Sequence, residues 1–439
     1  MDKRKRIKRK IIQVYYSIPI PQKWKTALLR LRRRIIGYGQ FDNNETRVVQ
    51  DAAVGNRFIK QVLNFPSLID NSEEYVPLSE EYYERNAKDI KFFAFYLTQY
   101  HPTKENDEWW GKGTTEWTNV TRAVPQYLGH NQPRLPDELG YYDLRIKDNM
   151  KRQIELARQY GIYGFCFYHY WFDEGRILEK PLNMFLKDKT LDIPFCYCWA
   201  NHSWHKKFQG TSDDVLIAMP ETKDAYLRYI DAVLSDMKDS RYYKINNCPL
   251  LIVYRPSGIP SVKEVLGFWR RRAREEGFEG LYIMAVHEAA TEEDYRKRGF
   301  DASCDFHPTT MFNLMAEAEA NVEMVNTAFS GDIYDYQKIV NKKLYMQYEA
   351  PKLYRSVMTF WDNTARKNSR AQVYANPSVE AYKKWVKDVI TYTHGADLDD
   401  NVAFINAWNE WGEGAYLEPD KKWGYALLQK TREAIEESR

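Results

Sequence analysis

The residues best suited to chemistry lie near the C-terminus, where the sequence reads INAWNEWGEGAYLEP. Glu410 and Glu413 stand three residues apart among tryptophans, and a third acid, Glu418, follows. Neighbouring carboxyl groups push their pKa values apart, so one can stay protonated near neutral pH while the other is ionised. Cleavage of a glycosidic bond needs such a pair. A lone E-x-x-E usually marks a solvated helix face, but the preceding VAFINAWN has no helical period.

The motifs of several other chemistries are absent from the sequence. It contains no Gly-rich phosphate loop after a strand, no Walker pattern and no nucleophile elbow. No His or Cys spacing is typical of a metal site, and HSWH at 202–205 suits ring packing or hydrogen bonding to a ligand better. We therefore expect no metal and no cofactor.

Eight apolar runs, most of them separated by helical patterns, must position these residues. Their apolar residues are continuous, as in parallel strands covered on both faces. The runs span residues 90–100, 163–172, 192–201, 248–256, 280–288, 302–308, 354–362 and 402–411. Eight such units predict an α/β fold, a (β/α)8 TIM barrel with long βα loops. An open doubly wound sheet is the alternative.

Helical patterns are clearest at residues 148–161, 261–277 and 378–395. The second and third open with a serine in the N-cap position, and all three close at a glycine. The sixth unit is the weakest, because residues 309–350 are irregular and Met-rich.

Charge divides the chain into three predicted segments. Residues 1–40 carry 13 of the 64 Lys and Arg but one of the 61 acids, which predicts a basic arm. Residues 41–89 are expected to form a linker or wrapping segment, and residues 90–439 the catalytic domain. This mildly acidic body is not expected to bind nucleic acid.

The basic arm does not have the continuous apolar core of a secretory signal. Residues 23–36 fit a short amphipathic helix on an anionic membrane, and a disordered basic tail is an equal alternative. The five cysteines lie mostly in apolar runs and form no disulfide framework. We therefore expect a cytoplasmic protein, peripheral on the inner face of the membrane through residues 1–36.

Barrel enzymes carry their functional residues at the C-terminal ends of the strands. Each run here ends in polar or aromatic residues. Those predicted to bind substrate on this ground are His101, His169, Tyr170, Asn201, Trp204, Arg255, His287 and Trp361. In the loop after the first strand, Trp109, Trp110, Glu116 and Trp117 are candidates for a roof over the cavity, with packing within that loop an equal alternative. Beside the acid pair, Asn409 and Trp411 are further candidates.

Four segments resemble the WbsX-type proteins, the glycoside hydrolase family 99-like group found in bacterial surface-polysaccharide gene clusters. They are residues 94–120, 164–172, 198–204 and 407–419, and the resemblance extends over about residues 90–430. Family 99 enzymes proper are (β/α)8-barrel endo-acting mannosidases that retain anomeric configuration. The resemblance implies that they use the 2-hydroxyl of the sugar as nucleophile, through a 1,2-anhydro intermediate.

On the W-N-E-W-x-E-G pattern of that family, Glu410 would deprotonate the 2-hydroxyl. Glu413 would act as general acid and then as general base. Gly412 stands where the mannosidases carry histidine, so a change in the adjoining subsite is expected.

The sequence thus favours a carbohydrate-active enzyme acting on a surface polysaccharide or its precursor, by hydrolysis or transfer. A glycosyltransferase of O-antigen or capsule assembly is the alternative, although no DxD sequence lies near a strand end. A non-catalytic sugar-binding barrel is the third hypothesis.

Overall fold

Nine parallel strands, β1 to β9, form the central sheet of the protein. The computed structural model describes residues 51–69, 73–172, 175–205, 214–219 and 222–439, so the predicted basic arm lies outside the described residues. The strands are β1 Lys91–Tyr96, β2 Gly164–His169, β3 Phe195–Trp199, β4 Cys248–Val253, β5 Tyr282–Val286, β6 Ala302–Cys304, β7 Leu353–Tyr354, β8 Ser356–Met358 and β9 Val402–Asn406.

The sheet closes on itself. Its order is β7-β6-β5-β4-β3-β2-β1-β9-β8, and Phe93 of the first strand pairs with Phe404 of the last. Strands β7 and β8 are consecutive in the chain, separated by Arg355 alone, so the two ends of this path meet. The predicted TIM-barrel fold is confirmed, and each of the eight predicted runs contains a strand. The seventh is split at the buried Arg355, whose guanidinium donates to the Tyr345 carbonyl at 3.1 Å.

Helices cover the outside of the barrel and fill its loops. They are α1 Ala52–Ile69, α2 Lys104–Trp110, α3 Glu116–Thr121, α4 Lys147–Gln159, α5 Lys180–Lys187, α6 Lys223–Leu234, α7 Val262–Glu275, α8 Tyr336–Asn341, α9 Thr364–Lys367, α10 Val379–Gly395 and α11 Ala426–Glu436. Between β5 and β6 the connection has a short 3₁₀ turn, Tyr295–Arg298.

The three helices predicted from periodicity are α4, α7 and α10. Ser378 caps α10 as predicted, because its side chain accepts a hydrogen bond from the backbone N–H of Ala381. Ser261 precedes α7 but lies in the left-handed region, with φ 46°, and its side chain makes no capping bond.

Small thiols line the inner face of three strands. Cys166 and Cys196 are register partners on β2 and β3, while Cys198 and Cys304 lie nearer the C-terminal ends of their strands. All four are free and fully buried. They act as small apolar residues in the barrel core.

Residues 73–89 run along the outside of the barrel. The backbone N–H of Val76 donates to the Trp423 carbonyl at 3.1 Å, and that of Tyr83 to the Gln159 carbonyl at 3.0 Å. Among the described residues, no helix combines the length and apolar character that a membrane span requires.

Candidate active site

The C-terminal ends of the strands open into a cavity of about 210 Å³. Part of its lining is aromatic, built from Phe95, Tyr168, Tyr254 and Phe306. The Phe306 ring centroid lies 4.7 Å from that of Phe95 and 5.0 Å from that of Tyr254. The acids Glu116, Glu410 and Glu413 line the same cavity, so it combines apolar ring faces with charged groups, as saccharide sites require.

The acid pair sits in a tight turn after β9. A two-residue strand, Asn409–Glu410, pairs antiparallel with Ala415–Tyr416, and a 3₁₀ turn, Trp411–Glu413, connects them. Gly414 ends the turn at φ 63°, a left-handed conformation that glycine adopts without strain. The turn carries the side chains of both Glu410 and Glu413 to the cavity.

Asn409 ties this turn to the end of β1. Its side chain accepts from the backbone N–H of Leu97 at 2.8 Å and donates to the Leu97 carbonyl at 3.0 Å. The backbone N–H of Trp411 also donates to the Tyr100 hydroxyl at 2.9 Å. Because these bonds join the last strand to the first, the position of Glu410 depends on closure of the barrel.

A second buried group supports the turn from behind. Trp411 stacks on Tyr416 with centroids 3.8 Å apart, and its indole N–H donates to Glu418 at 2.6 Å. Glu418 also accepts from Gln153 at 2.6 Å and from the Tyr142 hydroxyl at 2.9 Å. Burial raises the pKa of Glu418 to about 7 despite these donors.

One guanidinium joins three carboxylates at the cavity. Arg366 lies 2.9 Å from Glu410, 2.9 Å from Glu413 and 2.8 Å from Glu116, using a different nitrogen for each. Gln99 adds a weaker contact to Glu410 at 3.3 Å. When all of these groups are ionised, the three carboxylates outnumber the one guanidinium, so the cluster carries a net negative charge.

The charge balance and burial set the protonation of the pair. Burial raises the pKa of Glu410 to about 8, with Glu413 and Glu116 adding to the rise and Arg366 opposing it. Burial raises the pKa of Glu413 as well, and Arg366 again opposes the rise. The pair therefore retains a proton near neutral pH, which is the state that acid–base chemistry requires.

Gly412 leaves the space that Glu116 and Arg366 occupy. A Cβ atom on Gly412 would lie 2.0 Å from Oε1 of Glu116 and 2.9 Å from Nε of Arg366. No side chain larger than hydrogen fits here while both stay in place. The glycine was expected to change the adjoining subsite, and in this chain an ion pair fills that space.

A buried aspartate braces the turn from another loop. The backbone N–H of Asp362 donates to the Glu413 carbonyl at 2.7 Å. Its carboxylate accepts from Gln132 at 2.6 Å and contacts Nε2 of His130 at 2.7 Å. His130 and the nearby Arg134 hold the pKa of Asp362 well below its usual range, although burial opposes this. Asp362 with its partners Gln132 and His130, called the brace below, thus links the loops after β1 and β8 to the acid turn.

Six of the residues predicted from the sequence come together in the cavity. Besides the acid pair, they are Trp110, Glu116, Tyr170 and Trp204. Trp204 packs edge-to-face against Tyr170, with centroids 5.2 Å apart, and against Trp109 at 5.9 Å.

Three histidines that were predicted to bind substrate lie away from the cavity. His101 is buried, with Nδ1 2.9 Å from the Thr98 carbonyl. His169 stacks on Tyr197 at 4.7 Å, on the helix-facing side of β2. Nε2 of His287 lies 3.0 Å from the Thr291 carbonyl. Burial lowers the pKa of each, so these are neutral packing residues near neutral pH.

The other six predicted residues outside the cavity hold loops together or point to solvent. Asn201 bonds the backbone N–H and carbonyl of Arg255 at 2.7 and 2.8 Å, and Arg255 itself is exposed. Trp117 donates to the Tyr142 carbonyl at 2.8 Å, and Trp361 is buried. The remaining two, Asn409 and Trp411, position the acid turn from within the protein.

Several cavity residues were missed by the sequence analysis. Tyr168 and Tyr254 could have been found by alternation, because each lies next to a chosen residue, His169 or Arg255, on the opposite face of its strand. Gln99, two residues beyond Leu97 on the inner face, carries the same signal. Arg366 carries none, because it lies four residues beyond the seventh run, in a short helix, and is 250 residues from Glu116.

Within the described residues, no group of three or more His, Cys, Asp or Glu side chains is arranged to hold a metal ion. The donors at the cavity are carboxylates already engaged by Arg366, an arrangement that suits proton transfer.

Fold and site together define a parallel β/α barrel with paired, buried carboxyl groups and aromatic rings at its C-terminal mouth. The family model described as Glycosyltransferase WbsX matches residues 92–431. The chain belongs to the WbsX glycosyltransferase family.

The chain is also similar to curated sequences. The protein named Uncharacterized protein WxcX, from two strains of Xanthomonas campestris pathovar campestris, is 40% identical over 343 residues. The match covers 78% of this chain and 49% of WxcX, so the chain spans about half the length of these curated relatives.

Among solved structures, one described as a glycoside hydrolase-like protein aligns with a TM-score of 0.50 at 12% identity, covering 83% of this chain and 98% of that one. A GH99 endo-alpha-mannosidase from Bacteroides thetaiotaomicron aligns at 0.48 with 13% identity, covering 79% and 97%. At this identity the first likeness shows the shared barrel fold.

Proposed function

We propose that this protein breaks or transfers a glycosidic bond of a bacterial surface polysaccharide or its precursor, with Glu410 and Glu413 as the catalytic carboxyl groups. The observation that carries the proposal is the pair itself: two buried carboxyl groups, both held by Arg366, at the mouth of a cavity lined by aromatic rings. Trp110, Trp204 and Tyr170 supply the ring faces and hydroxyl partner that a sugar requires.

The proposed mechanism retains anomeric configuration. Glu410 takes the proton of the substrate 2-hydroxyl as that oxygen attacks the anomeric carbon, while Glu413 protonates the departing oxygen. Glu413 then removes a proton from the incoming acceptor, which opens the anhydro intermediate, and the 2-hydroxyl recovers its proton from Glu410. One proton held between two carboxyl groups with raised pKa values supports this exchange.

The central test is to incubate the purified protein with the polysaccharide of its source organism and with the lipid-linked precursors, and to identify products by mass spectrometry. Glu410→Gln and Glu413→Gln should each lower turnover at least 10²-fold while binding is retained, as removal of an acid–base group does. Glu292→Gln, an exposed acid, serves as the matched control. Wild-type rates in both site variants would refute the proposal.

Participation of the 2-hydroxyl has its own test. Once a substrate is identified, its 2-deoxy analogue should bind but not react, because the nucleophile is missing. Turnover of that analogue would rule out this step and leave the carboxyl pair to act through a covalent glycosyl-enzyme.

Transfer rather than hydrolysis is supported by the description of the family as glycosyltransferases. The same carboxyl pair can activate a sugar hydroxyl in place of water. Product formation that requires an added nucleotide-sugar, and none without it, would favour a nucleotide-dependent transferase. Products formed from the saccharide alone would favour hydrolysis or transglycosylation.

A further inference from the structure

Helix α1 has two distinct faces. Val54 is buried, and Phe58 and Gln61, which follow at intervals of four and three residues, are half-buried against the barrel. On another side of the helix, Ile59 and Leu63 are 55% and 73% exposed. Val62, one turn from Ile59, is 48% exposed. Large apolar side chains at spacings of three and four form one stripe on a helix, and here that stripe faces solvent.

The contacts of α1 place the helix beside loops on the mouth side of the barrel. The backbone N–H of Gly129, in the loop after β1, donates to Gln61 at 2.9 Å. Arg57 pairs with Glu323, in the loop after β6. Both loops follow the C-terminal ends of strands, and the first also carries His130, a member of the brace behind Glu413.

The sequence before α1 indicates what covers the stripe. Residues 1–40 carry 13 basic residues and one acid, and α1 adds Arg57 and Lys60. Basic segments are attracted to anionic lipid headgroups, whereas they repel a second copy of themselves. An apolar stripe beside a basic segment supplies the two signals that stable attachment to a membrane surface requires.

We propose that α1 lays Ile59, Val62 and Leu63 into the headgroup region of an anionic bilayer. The barrel is thereby oriented with its mouth toward the lipid. This orientation suits a saccharide carried on a membrane lipid, and that consequence rests on the proposed function. The binding of α1 to the bilayer does not depend on the proposed function.

Vesicle sedimentation of the full-length chain tests the proposal without any substrate. Wild-type protein should partition onto vesicles of phosphatidylcholine and phosphatidylglycerol and at least tenfold less onto phosphatidylcholine alone. Ile59→Glu with Leu63→Glu should lower the partition coefficient on anionic vesicles at least tenfold. The matched control is Leu78→Glu with Tyr82→Glu, which makes the same charge change at exposed apolar residues beside the C-terminal end of α4, on the opposite end of the barrel. Thermal melts check that both variants fold.

Each other outcome overturns the proposal. If wild type does not bind anionic vesicles, there is no such surface. If both double variants bind like wild type, α1 takes no part and any binding belongs to the basic segment. If both weaken equally, the added charge is the cause. If Ile59→Glu with Leu63→Glu only turns a dimer into a monomer, a second copy covers the stripe.

The orientation has a separate readout. An environment-sensitive dye on Val124→Cys, an exposed mouth-side position, should shift to the blue with anionic vesicles, and the same dye on Tyr82→Cys should not. Cys248, the half-buried thiol, is replaced by serine in both proteins. A shift at Tyr82→Cys alone would overturn the orientation.

Discussion

Arg366 holds the carboxyl pair in one place and also lowers the pKa of both members. Arg366→Met should therefore raise the pKa of Glu410 and Glu413 and release their side chains. We expect kcat/KM to fall 10²- to 10³-fold, typical of losing one preorganised charge. The alkaline fall in rate should move to higher pH. The test is the pH profile of kcat/KM, with the exposed Arg271→Met as control. An unchanged profile would contradict this role.

The wild-type profile itself follows from the shared proton. The proposed mechanism requires one carboxyl protonated and one ionised, so the rate should be bell-shaped in pH. The two carboxyl groups titrate together, and with the pKa of Glu410 raised to about 8 the pair loses its last proton above that pH, so the rate should fall. Measuring kcat/KM from pH 4 to 10 checks this. A rate that keeps rising to pH 10 would show that no retained proton is needed.

Gly412 offers a test of the space filled by Glu116 and Arg366. In Gly412→Ala, the added Cβ should push the Glu116 carboxylate off the guanidinium, because the two cannot share that space. We expect at least a tenfold loss of kcat with little change in melting temperature, since Glu116 is at the cavity surface. Gly395→Ala, where a Cβ meets open space, is the control. Equal loss in both variants would argue for a general effect on folding.

At the scale of elements, the acid turn depends on its tie to β1. Asn409→Ala removes two buried hydrogen bonds to Leu97, which should cost about 1–3 kcal/mol of unfolding free energy. It should also lower kcat, because Glu410 is the next residue. Urea unfolding and kinetics measure the two effects, with the exposed Asn341→Ala as control. Normal activity in Asn409→Ala would show that the turn keeps its shape without the tie.

The strands, and their alternation with helices, were predictable from the sequence. Each strand is buried on both faces of the sheet, and this leaves a continuous apolar run in the sequence. It was harder to predict which side chains at the strand ends face the cavity. Arg255 and His169 were chosen for their chemistry, whereas the inward side chains are Tyr254 and Tyr168. The meeting of Arg366 with Glu116 was out of reach, since the contact depends on how two long loops fold over the mouth. The acid pair stood out because glycines and tryptophans surround it.

For the whole molecule, Glu418 makes stability depend on pH. Its ordinary pKa of 4.5 is raised to about 7 in the folded protein. The folded state therefore binds the proton more tightly, and this stabilisation is complete below about pH 4.5 and lost as pH rises through 7. Linkage gives a contribution of roughly 2–3 kcal/mol lost between pH 5 and 8.

The corresponding variant is Glu418→Gln, which is neutral at every pH. Its free energy of unfolding should fall less than that of wild type between pH 5 and 8, as measured by urea denaturation at each pH. Glu410 also has a raised pKa, which lowers the stability of both proteins as pH rises. The difference in unfolding free energy between the two proteins therefore reports Glu418 alone. Parallel curves for the two proteins would contradict the assignment.

The tie between Asn409 and Leu97 also bears on how the protein is made. During translation the loop residues Gln99 and Glu116 leave the ribosome early, while the acids and the strand that carries them emerge some 300 residues later. No partly synthesised chain can hold the pair in place until β9 has docked beside β1. If the pair acts as proposed, the chain gains that chemistry only once synthesis has passed Glu413 and the last strand is in place.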